Sequence, residues 1–411
     1  MAELDIGTDI LTLFDVGFTG ISDALKDQVT VMEVVLGESL LTPGLQTSVR
    51  VHSAMHRLPV KNLDEYKNTM MSIFIDRPII DFFNKEYGTS LPRTMEVEQT
   101  TYRLDKRKLI NNNTEEYVIH ACDQTLLDDA ATLVSKKWLP CATPSQVVRD
   151  VLSTCVGAKN LDIEPSSPPR PYIAENIRPF QIVAQQANVA LAEGNDPSFL
   201  HYMTYQNYGT HHFRSLNWMT KQPAIAEFKF QEVGAMVSHN YPFSILTHSF
   251  PCDFDLLSDV LNGVGYDGKN LNTLFTFNPI MKMFNKFGSD TFGCGIGSGL
   301  PKLSSSNMGS AQQQNVCPDY SHLYVHKRQA RMALLEQDKI ALRIMVPWLP
   351  IYNVGKIIRL NVPNKADEKG IEQLYGSGDY LIVSLKHHLP RGQPATITMD
   401  CVSRTVGIGV V

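Results

Sequence analysis

Apolar and polar residues alternate with a period of two in the first quarter of the chain. Residues 29–36 and 46–52 carry this pattern on either side of Pro43 and Gly44, a pair that is typical of turns. Three further segments with the same character follow at residues 71–75, 95–104 and 116–121. Several short strands within about 100 residues predict an antiparallel barrel or sandwich.

The pattern then changes to a helical period. Thr125 is the expected N-cap of a first helix, and Asp128 lies at the position that completes a capping box. Thr143 and Gln146 predict the same arrangement for a second helix. Prolines within residues 164–171 predict a stiff extended connector. The apolar face of the first helix is expected to contain Leu126, Leu127, Ala130, Leu133 and Val134.

The second half of the chain predicts a hairpin and a second β region. A third helix is expected near Pro179, and residues 199–205 and 211–216 predict the two strands of a hairpin. The Gly- and Ser-rich residues 293–314 predict a loop. A helix over residues 321–337 precedes four expected strands, at residues 340–346, 356–362, 379–386 and 395–401.

Composition narrows the class of protein. A chain of 411 residues exceeds the size of one compact core, so we expect two to four domains. The formal net charge of -5 gives no whole-chain argument for binding nucleic acid or a membrane. The seven cysteines are dispersed and form no C-x-x-C pair, so we expect reduced thiols. The first residues lack the features of a secretory signal, and no apolar run predicts a membrane segment, so we expect a protein made and kept in a cytoplasm.

Three stretches of this sequence resemble the baseplate hub proteins of contractile-tailed bacteriophages, which look like the N-terminal part of VgrG spikes of type VI secretion. These stretches are residues 117–149, with Tyr117-Val-Ile-His-Ala-Cys-Asp and Thr143-Pro-Ser-Gln; residues 177–216, with Ile177-Arg-Pro-Phe and Gly209-Thr-His-His-Phe-Arg-Ser-Leu; and residues 354–389, with Gly376-Ser-Gly-Asp-Tyr-Leu-Ile-Val-Ser-Leu-Lys-His-His-Leu.

The resemblance implies an α+β, mainly β fold with two tube-like antiparallel β-barrel domains, helical and mixed insertions, and a trimeric torus. The implied function is non-enzymatic. As a homotrimer, the protein would connect the hexameric tail tube protein to the trimeric central spike protein, contact other baseplate proteins and leave a channel for DNA. It would reside in the virion tail baseplate after assembly in the host cytoplasm. The expected domains are residues 1–123 (first barrel), 124–235 (paired helices and hairpin), 236–320 (irregular insertion) and 321–411 (helix and second barrel).

Obligate interfaces are rich in aromatic residues and arginine, so we expect exposed members of these types in the hairpins to make subunit contacts. Two alternative functions remain open: a tail-associated cell-wall hydrolase, and the hub of a related contractile injection system. The candidate interface residues are Tyr202, Tyr205, Phe213, Arg214, Trp348 and Tyr380.

Motifs that suggest catalysis or ligand binding have simpler explanations. Glycines in residues 293–299 fall at every second position, which does not match a dinucleotide-binding loop. Adjacent histidines at 211–212 and 387–388 point to opposite faces of a strand and cannot grip one metal ion. We therefore expect no cofactor and no metal.

Charged groups give a similar result. Neighbouring carboxylates occur at Glu115 and Glu116, and at three aspartates within residues 253–259, but acidic pairs are common on surfaces, so we expect no catalytic residues. A basic stripe on the late helix is expected to be a solvated face, although it would also suit a phosphate-bearing lumen or an acidic partner. The stripe consists of Lys327, Arg328 and Arg331.

Overall fold

The computed structural model is a single chain, mainly β, in which helices occupy the middle of the sequence. It describes residues 12–18, 29–54, 70–111, 114–229, 243–249, 269–278, 283–290, 340–361 and 377–403, together with residues 328, 331, 332 and 335.

A twelve-stranded sheet dominates the fold. Its main path runs in the order β1-β4-β5-β6-β3-β2-β18-β19-β16-β13, and β12 joins β18 through β17. Neighbouring strands are antiparallel except β12 and β17, which are parallel. Its strands are β1 (Leu13–Phe18), β2 (Val29–Ser39), β3 (Gln46–Ala54), β4 (Met70–Asp76), β5 (Thr94–Asn111), β6 (Thr114–Cys122), β12 (Ala224–Lys229), β13 (Thr247–Ser249), β16 (Leu342–Pro347), β17 (Ile357–Asn361), β18 (Gly378–Pro390) and β19 (Thr396–Ser403).

Strand β18 joins the two ends of the chain. One of its edges pairs with β19, and its other edge is shared between β17 at residues 378–381 and β2 at residues 384–390. The N-terminal and C-terminal strands therefore belong to one sheet. Within the described residues this sheet is open, and neither of the two expected barrel regions closes on itself. The strand order therefore corrects the expectation of two separately closed barrels.

Alternation along the strands places one face of the sheet in the core. Met71, Ile73 and Ile75 of β4 are buried, whereas Met70, Ser72 and Phe74, which alternate with them, are exposed. The same core includes the fully buried Trp348. Burial of large aliphatic and aromatic side chains is the main stabilising contribution, at about 1.5–3 kcal/mol for each side chain.

A smaller unit, here called the α/β module, is inserted between β6 and β12 and has a core of its own. It contains two small sheets, β7–β9 and β8–β11–β10, with helices packed against them. Its elements are α2 (Gln124–Ala131), β7 (Val134–Ala142), α3 (Pro144–Thr154), β8 (Asn160–Ile163), β9 (Arg170–Ile177), α4 (Pro179–Val189), β10 (Phe199–Thr204), β11 (Thr210–Ser215) and α5 (Leu216–Thr220). Outside the module, α1 (Ile79–Tyr87) follows β4, and β14 (Lys269–Asn278) pairs with β15 (Met283–Asp290).

The expected helices are partly confirmed. The second helix begins as predicted, with the capping box between Thr143 and Gln146, and the third begins at Pro179. The first helix differs, because its N-cap is Asp123, whose side chain accepts a hydrogen bond from the Thr125 N–H, and it ends before Leu133. Leu133 is exposed, and the following residues form β7, which pairs with β9.

Several expectations fall on residues outside the described part. The glycines of 293–299 and the aspartates of 253–259 are among them, as is Lys327. Of the cysteines, Cys122, Cys155 and Cys401 are free, whereas Cys141 is disulfide-bonded, so the expectation that all cysteines are reduced is wrong. Among the described residues, no helix is long and apolar enough to cross a membrane.

Candidate functional site at the hairpin junction

The predicted hairpin is confirmed as β10 and β11, whose register runs from Phe199 opposite Ser215 to Thr204 opposite Thr210. A short 3-10 turn, Gln206–Tyr208, and Gly209 connect the strands. Gly209 has a φ of +103°, and a Cβ atom there would lie 2.9 Å from a carboxylate oxygen of Asp123. A tight turn with this φ and this close approach requires glycine.

The six candidate interface residues do not lie on the surface as expected. Five have exposed fractions below 5%, and the side chain of Arg214 is only 16% exposed. The expectation of exposure is therefore wrong for this chain, whereas a contribution to subunit contacts stays a prediction. The five buried residues are Tyr202, Tyr205, Phe213, Trp348 and Tyr380. Large apolar side chains that are exposed lie elsewhere, for example Leu13, Phe74 and Leu109.

The hairpin is buried because it lies between two cores. Phe199 stacks on Phe213 with ring centroids 4.8 Å apart, and both belong to the core of the α/β module. Tyr202 and Tyr205, from the same hairpin, belong to the core of the large sheet. One hairpin thus fastens the module to the sheet, and we call this contact region the hairpin junction.

Glu38 of β2 lies at the centre of the hairpin junction. Its Oε1 accepts a hydrogen bond from the N–H of Tyr205 at 2.9 Å, and its Oε2 accepts one from the N–H of Val354 at 3.0 Å. The side chain is only 3% exposed. Burial raises the pKa of Glu38 to about 7, although the two N–H donors act in the opposite direction. Two hydrogen bonds from backbone N–H groups to one side chain thus tie β2 to segments 167 and 316 residues away.

Two tyrosines complete the hairpin junction. The Tyr205 hydroxyl group donates to the carbonyl oxygen of Gln46 at 2.8 Å. The Tyr202 hydroxyl lies against Gly355, where a Cβ atom would be 2.7 Å from the hydroxyl oxygen. Gly355 has a φ of +79°, so both its conformation and its neighbour exclude a side chain. Burial raises the pKa of both tyrosines, so they remain protonated at neutral pH.

The adjacent histidines of β11 point to opposite faces, as the strand period predicts. His211 contacts Thr125 at 3.1 Å on one ring nitrogen and His201 at 3.1 Å on the other. His212 contacts Thr204 at 3.0 Å and Asp162 at 2.9 Å. Burial lowers the pKa of His211 to about 4, and that of His201 lies well below its usual value for the same reason. The rings of His201 and His211 are therefore neutral at pH 7.

Thr204, His212 and Asp162 have the connectivity of a nucleophile, a base and an orienting carboxylate. Their surroundings do not suit catalysis, because Thr204 is 1% exposed and the Tyr202 ring stacks on His212 with centroids 4.8 Å apart. Asp162 also accepts hydrogen bonds from Arg214. The hydrogen bonds from His212 and Arg214 hold the pKa of Asp162 well below its usual range. A substrate has no access to Thr204, and the arrangement serves as a buried polar clamp.

The basic stripe of the late helix is not a solvated face where the structure describes it. Arg328 donates to the carbonyl oxygens of Pro197 and Phe199 at 2.8 and 3.0 Å, and to Asn188 at 3.0 Å. The side chain of Arg331 is 13% exposed and lies 3.8 Å from the carboxylate of Asp196. Both arginines therefore face inward, toward the loop between α4 and β10. The expectation of a solvated stripe is wrong for these two residues.

A shallow charged cleft of about 520 Å³ lies on the exposed face of the large sheet. Its charges pair across four strands: His388 lies 2.7 Å from Glu33, and Arg50 lies 3.0 Å from Glu33. Glu116 lies 3.9 Å from Arg50 and 3.3 Å from His52. These side chains satisfy one another, which is the ordinary pattern of cross-strand pairs on a solvated face. Among the described residues, no group of His, Cys, Asp and Glu could hold a metal ion.

Sequence reasoning missed the two charged groups that hold the parts together most directly. The predicted strand ends at residue 36, before Glu38, whereas β2 extends to Ser39. Arg77, which follows β4, is 2% exposed and donates to the carbonyl oxygen of Trp348 at 2.6 Å. Both side chains bond mainly to backbone groups distant in sequence, so no residue pattern marks them.

The fold of this chain is similar to the folds of phage tail proteins of known structure. The tail protein of Neisseria meningitidis MC58 superimposes with a TM-score of 0.55 and 10% identity, covering 97% of this chain and 98% of that chain. The 43 kDa tail protein of prophage MuSo2 from Shewanella oneidensis gives a TM-score of 0.52 and 8% identity, covering 95% and 97%. The predicted resemblance is therefore confirmed at the level of the fold.

A component of the Escherichia coli type VI secretion system is also similar, with a TM-score of 0.48 and 8% identity over 97% of this chain and 79% of that chain. The chain matches no protein-family model, and no curated protein sequence matches it. The similarity therefore lies in the fold and not in the sequence.

Proposed function

We propose that this chain is a structural subunit of a phage tail, namely the hub of a contractile baseplate. The observation that carries the proposal is the end-to-end similarity to a phage tail protein, which spans 97% of this chain and 98% of the other. The similarity therefore extends over both the large sheet and the inserted module of this chain.

In this proposal the protein forms a homotrimer in the tail of the virion, assembled in the host cytoplasm. The N-terminal strands β1–β6 and the C-terminal strands β16–β19 act as two tube-like units, so three chains present six. Six similar units match a hexameric tail tube, while three-fold symmetry matches a trimeric central spike. The remaining partners are other baseplate proteins, and DNA passes through the channel of the ring.

The polar groups of the hairpin junction support a structural rather than an enzymatic role. The carboxyl groups of Glu38, which is buried, and of Asp162, which is partly buried, are used in hydrogen bonds between segments of the chain. Thr204, the residue with the connectivity of a nucleophile, is buried. Tight fastening of the module to the sheet suits a subunit that transmits force between a tube and a spike.

In this proposal the candidate interface residues stabilise the surface through which the subunits contact each other. Tyr202, Tyr205, Phe213, Trp348 and Tyr380 are buried in the single chain, so their contribution to assembly would be indirect. Arg214 is partly accessible and stacks on Trp218, with its guanidinium carbon 3.9 Å from the ring centre. Among the six candidate interface residues, Arg214 is the one whose polar group is accessible for a direct contact with another subunit.

The solution mass of the purified chain tests the proposal. With a chain mass of 46.0 kDa, light scattering at micromolar concentration is expected to give three times that value, and a still larger mass when a trimeric spike protein is added. Pull-down with the tail tube protein should retain both partners. A monomer that persists with the spike present contradicts the hub. Clearing of peptidoglycan that is lost in the Thr204→Val variant would instead support the cell-wall hydrolase.

A further inference from the structure

Glu38 is the point at which three parts of the chain meet. Its own strand, β2, belongs to the large sheet, and Tyr205 directly follows β10, the first strand of the hairpin of the α/β module. Val354 lies in the turn before β17, and the next residue of that turn, Gly355, is bonded to β18 through the carbonyl oxygen of Ile382. A single carboxyl group therefore holds the module, the turn and the sheet together.

No opposite charge compensates this carboxyl group in the described part of the chain, where Glu38 has no salt bridge. The titratable groups nearest to it on the hairpin are Tyr202 and Tyr205, which are protonated at neutral pH. His387 of β18 also faces this region, with its ring centroid 6.1 Å from that of Tyr205. Burial lowers the pKa of His387 to about 3. The groups that face Glu38 from each packed element are thus neutral over the physiological range.

More distant charges are already paired or turned elsewhere. Asp162 and Arg214, beyond Tyr202, bond to each other. Arg77 bonds to the carbonyl oxygen of Trp348. Asp123 accepts hydrogen bonds from Thr125. Ionisation of Glu38 therefore places an isolated negative charge in the hairpin junction, with two N–H dipoles as its only described partners.

We propose that Glu38 is a proton-controlled latch, whose carboxyl group fastens the α/β module to the sheet while it is protonated and loosens this contact when it loses the proton. An isolated buried charge is costly, and water at an opened hairpin junction relieves that cost. The hydrogen bond from Tyr205 to Gln46 and the packing of Tyr202 on Gly355 do not depend on this proton. The module therefore loosens without detaching. This proposal goes beyond the hub function and does not depend on it.

The direction of the effect follows from linkage. The pKa of Glu38 is about 7 in the closed junction and close to 4.5 when the group is solvated. As the pH rises from about 4.5 to about 7, the open form releases a proton that the closed form keeps, so opening becomes more favourable. Above pH 7 both forms are ionised and the effect levels off.

Hydrogen exchange of individual amides tests the latch in the full chain. The probes are the N–H groups of Tyr205 and Val354, measured between pH 5 and pH 8 and corrected for intrinsic exchange. We expect their protection factors to fall at least tenfold between pH 5 and pH 7.5 and to level off above that. The N–H of Cys155, which closes α3 inside the module core, serves as the control and should not show this fall.

The variant Glu38→Gln removes the titrating group and keeps the size of the side chain. Its Tyr205 and Val354 amides are expected to exchange with pH-independent protection, at a lower level because the amide group offers only one acceptor oxygen. If the variant does not fold, the wild-type profile alone decides, since a fall in protection that levels off near pH 7 and is confined to these two amides is specific to the latch. The proposal is overturned if the protection factors of the Tyr205 and Val354 amides do not change with pH in the wild type. It is also overturned if the protection factor of the Cys155 amide falls by the same amount.

Discussion

The hydroxyl group of Tyr202 occupies the space that a side chain at Gly355 would need. A Cβ atom at Gly355 would lie 2.7 Å from the hydroxyl oxygen and 3.1 Å from the ring carbon that bears it. Tyr202 comes from the α/β module, and Gly355 precedes β17 of the large sheet. Their close approach sets how tightly the two parts of the molecule fit.

The first prediction concerns this contact. Gly355→Ala is expected to lower the free energy of unfolding by about 2–4 kcal/mol, because it adds overpacking to the cost of a left-handed conformation. The control is Gly392→Ala, where φ is +71° and nothing lies within 4 Å, so only the conformational cost of about 1–2 kcal/mol applies. Urea unfolding measures both. Adding Tyr202→Phe to Gly355→Ala should restore part of the loss, and equal losses in the two glycine variants would contradict the tight contact.

The second prediction concerns Arg328. Arg328→Ala is expected to reduce stability by about 2–4 kcal/mol, because the carbonyl oxygens of Pro197, before β10, and of Phe199, its first residue, lose their donor. Arg328→Lys should recover little, since an ammonium group cannot reproduce the planar set of donors. The matched control is Arg343→Ala, which breaks an exposed pair with Asp400 and should cost less than about 1 kcal/mol. Thermal or urea unfolding that ranks the two alanine variants in the reverse order would show that Arg328 is not an anchor.

The third prediction concerns acid stability. Burial lowers the pKa of His387 to about 3 and that of His211 to about 4, below the value of about 6.5 expected for unfolded histidine. Between about pH 6.5 and pH 4 the unfolded chain binds protons that the folded chain does not, so stability falls as the pH falls. Unfolding experiments at pH 6, 5 and 4 on the Glu38→Gln variant, which lacks the opposing titration of Glu38, should show this decrease.

The variant His387→Leu isolates one of these protons. It should reduce the slope of unfolding free energy against pH by about 1.4 kcal/mol per pH unit within that window. His388→Leu, the neighbouring partly exposed residue, is the control for a change of composition. A slope unchanged by His387→Leu would mean that this ring is protonated in the folded chain.

The fourth prediction concerns the polar clamp around Asp162. Asp162→Asn is expected to cost about 1–3 kcal/mol at pH 7, because His212 and Arg214 lose a charged acceptor. The wild-type contribution of a carboxyl group with a lowered pKa is present above about pH 3.9 and is lost in acid, so the difference should shrink there. Asp379→Asn, at an exposed pair with Arg359, is the control and should cost less than about 1 kcal/mol. If the stability loss in Asp162→Asn persists unchanged in acid, it results from the shape of the new side chain and not from the loss of the charge.

Local signals in the sequence predict the local elements well. The Thr143 and Gln146 capping box and the hairpin are confirmed because their determinants are neighbours in the chain. The same reasoning failed at Leu133, where an apolar residue at helical spacing follows the end of α2 and is exposed. There the pairing of β7 with β9 outweighs the helical pattern, and no local pattern encodes a partner 28–43 residues away.

The candidate site was predictable only in part. The sequence directs attention to Tyr202 and Tyr205 as residues of the hairpin, but it assigns them to the surface. Glu38 carries no signal of its role, because both of its partners are backbone N–H groups, which every non-proline residue possesses. Only the three-dimensional fold brings those two donors to one carboxyl group.

The pairing of β2 with β18 has a consequence for synthesis on the ribosome. His388 and Glu33, which contact each other across this pair, are 355 residues apart in the sequence. At about 5–20 residues per second, the later strand emerges roughly 20–70 s after the earlier one. For that interval the edge of β2 that later pairs with β18 has no partner from its own chain. Newly made chains therefore require protection from pairing with one another until the last strands are complete.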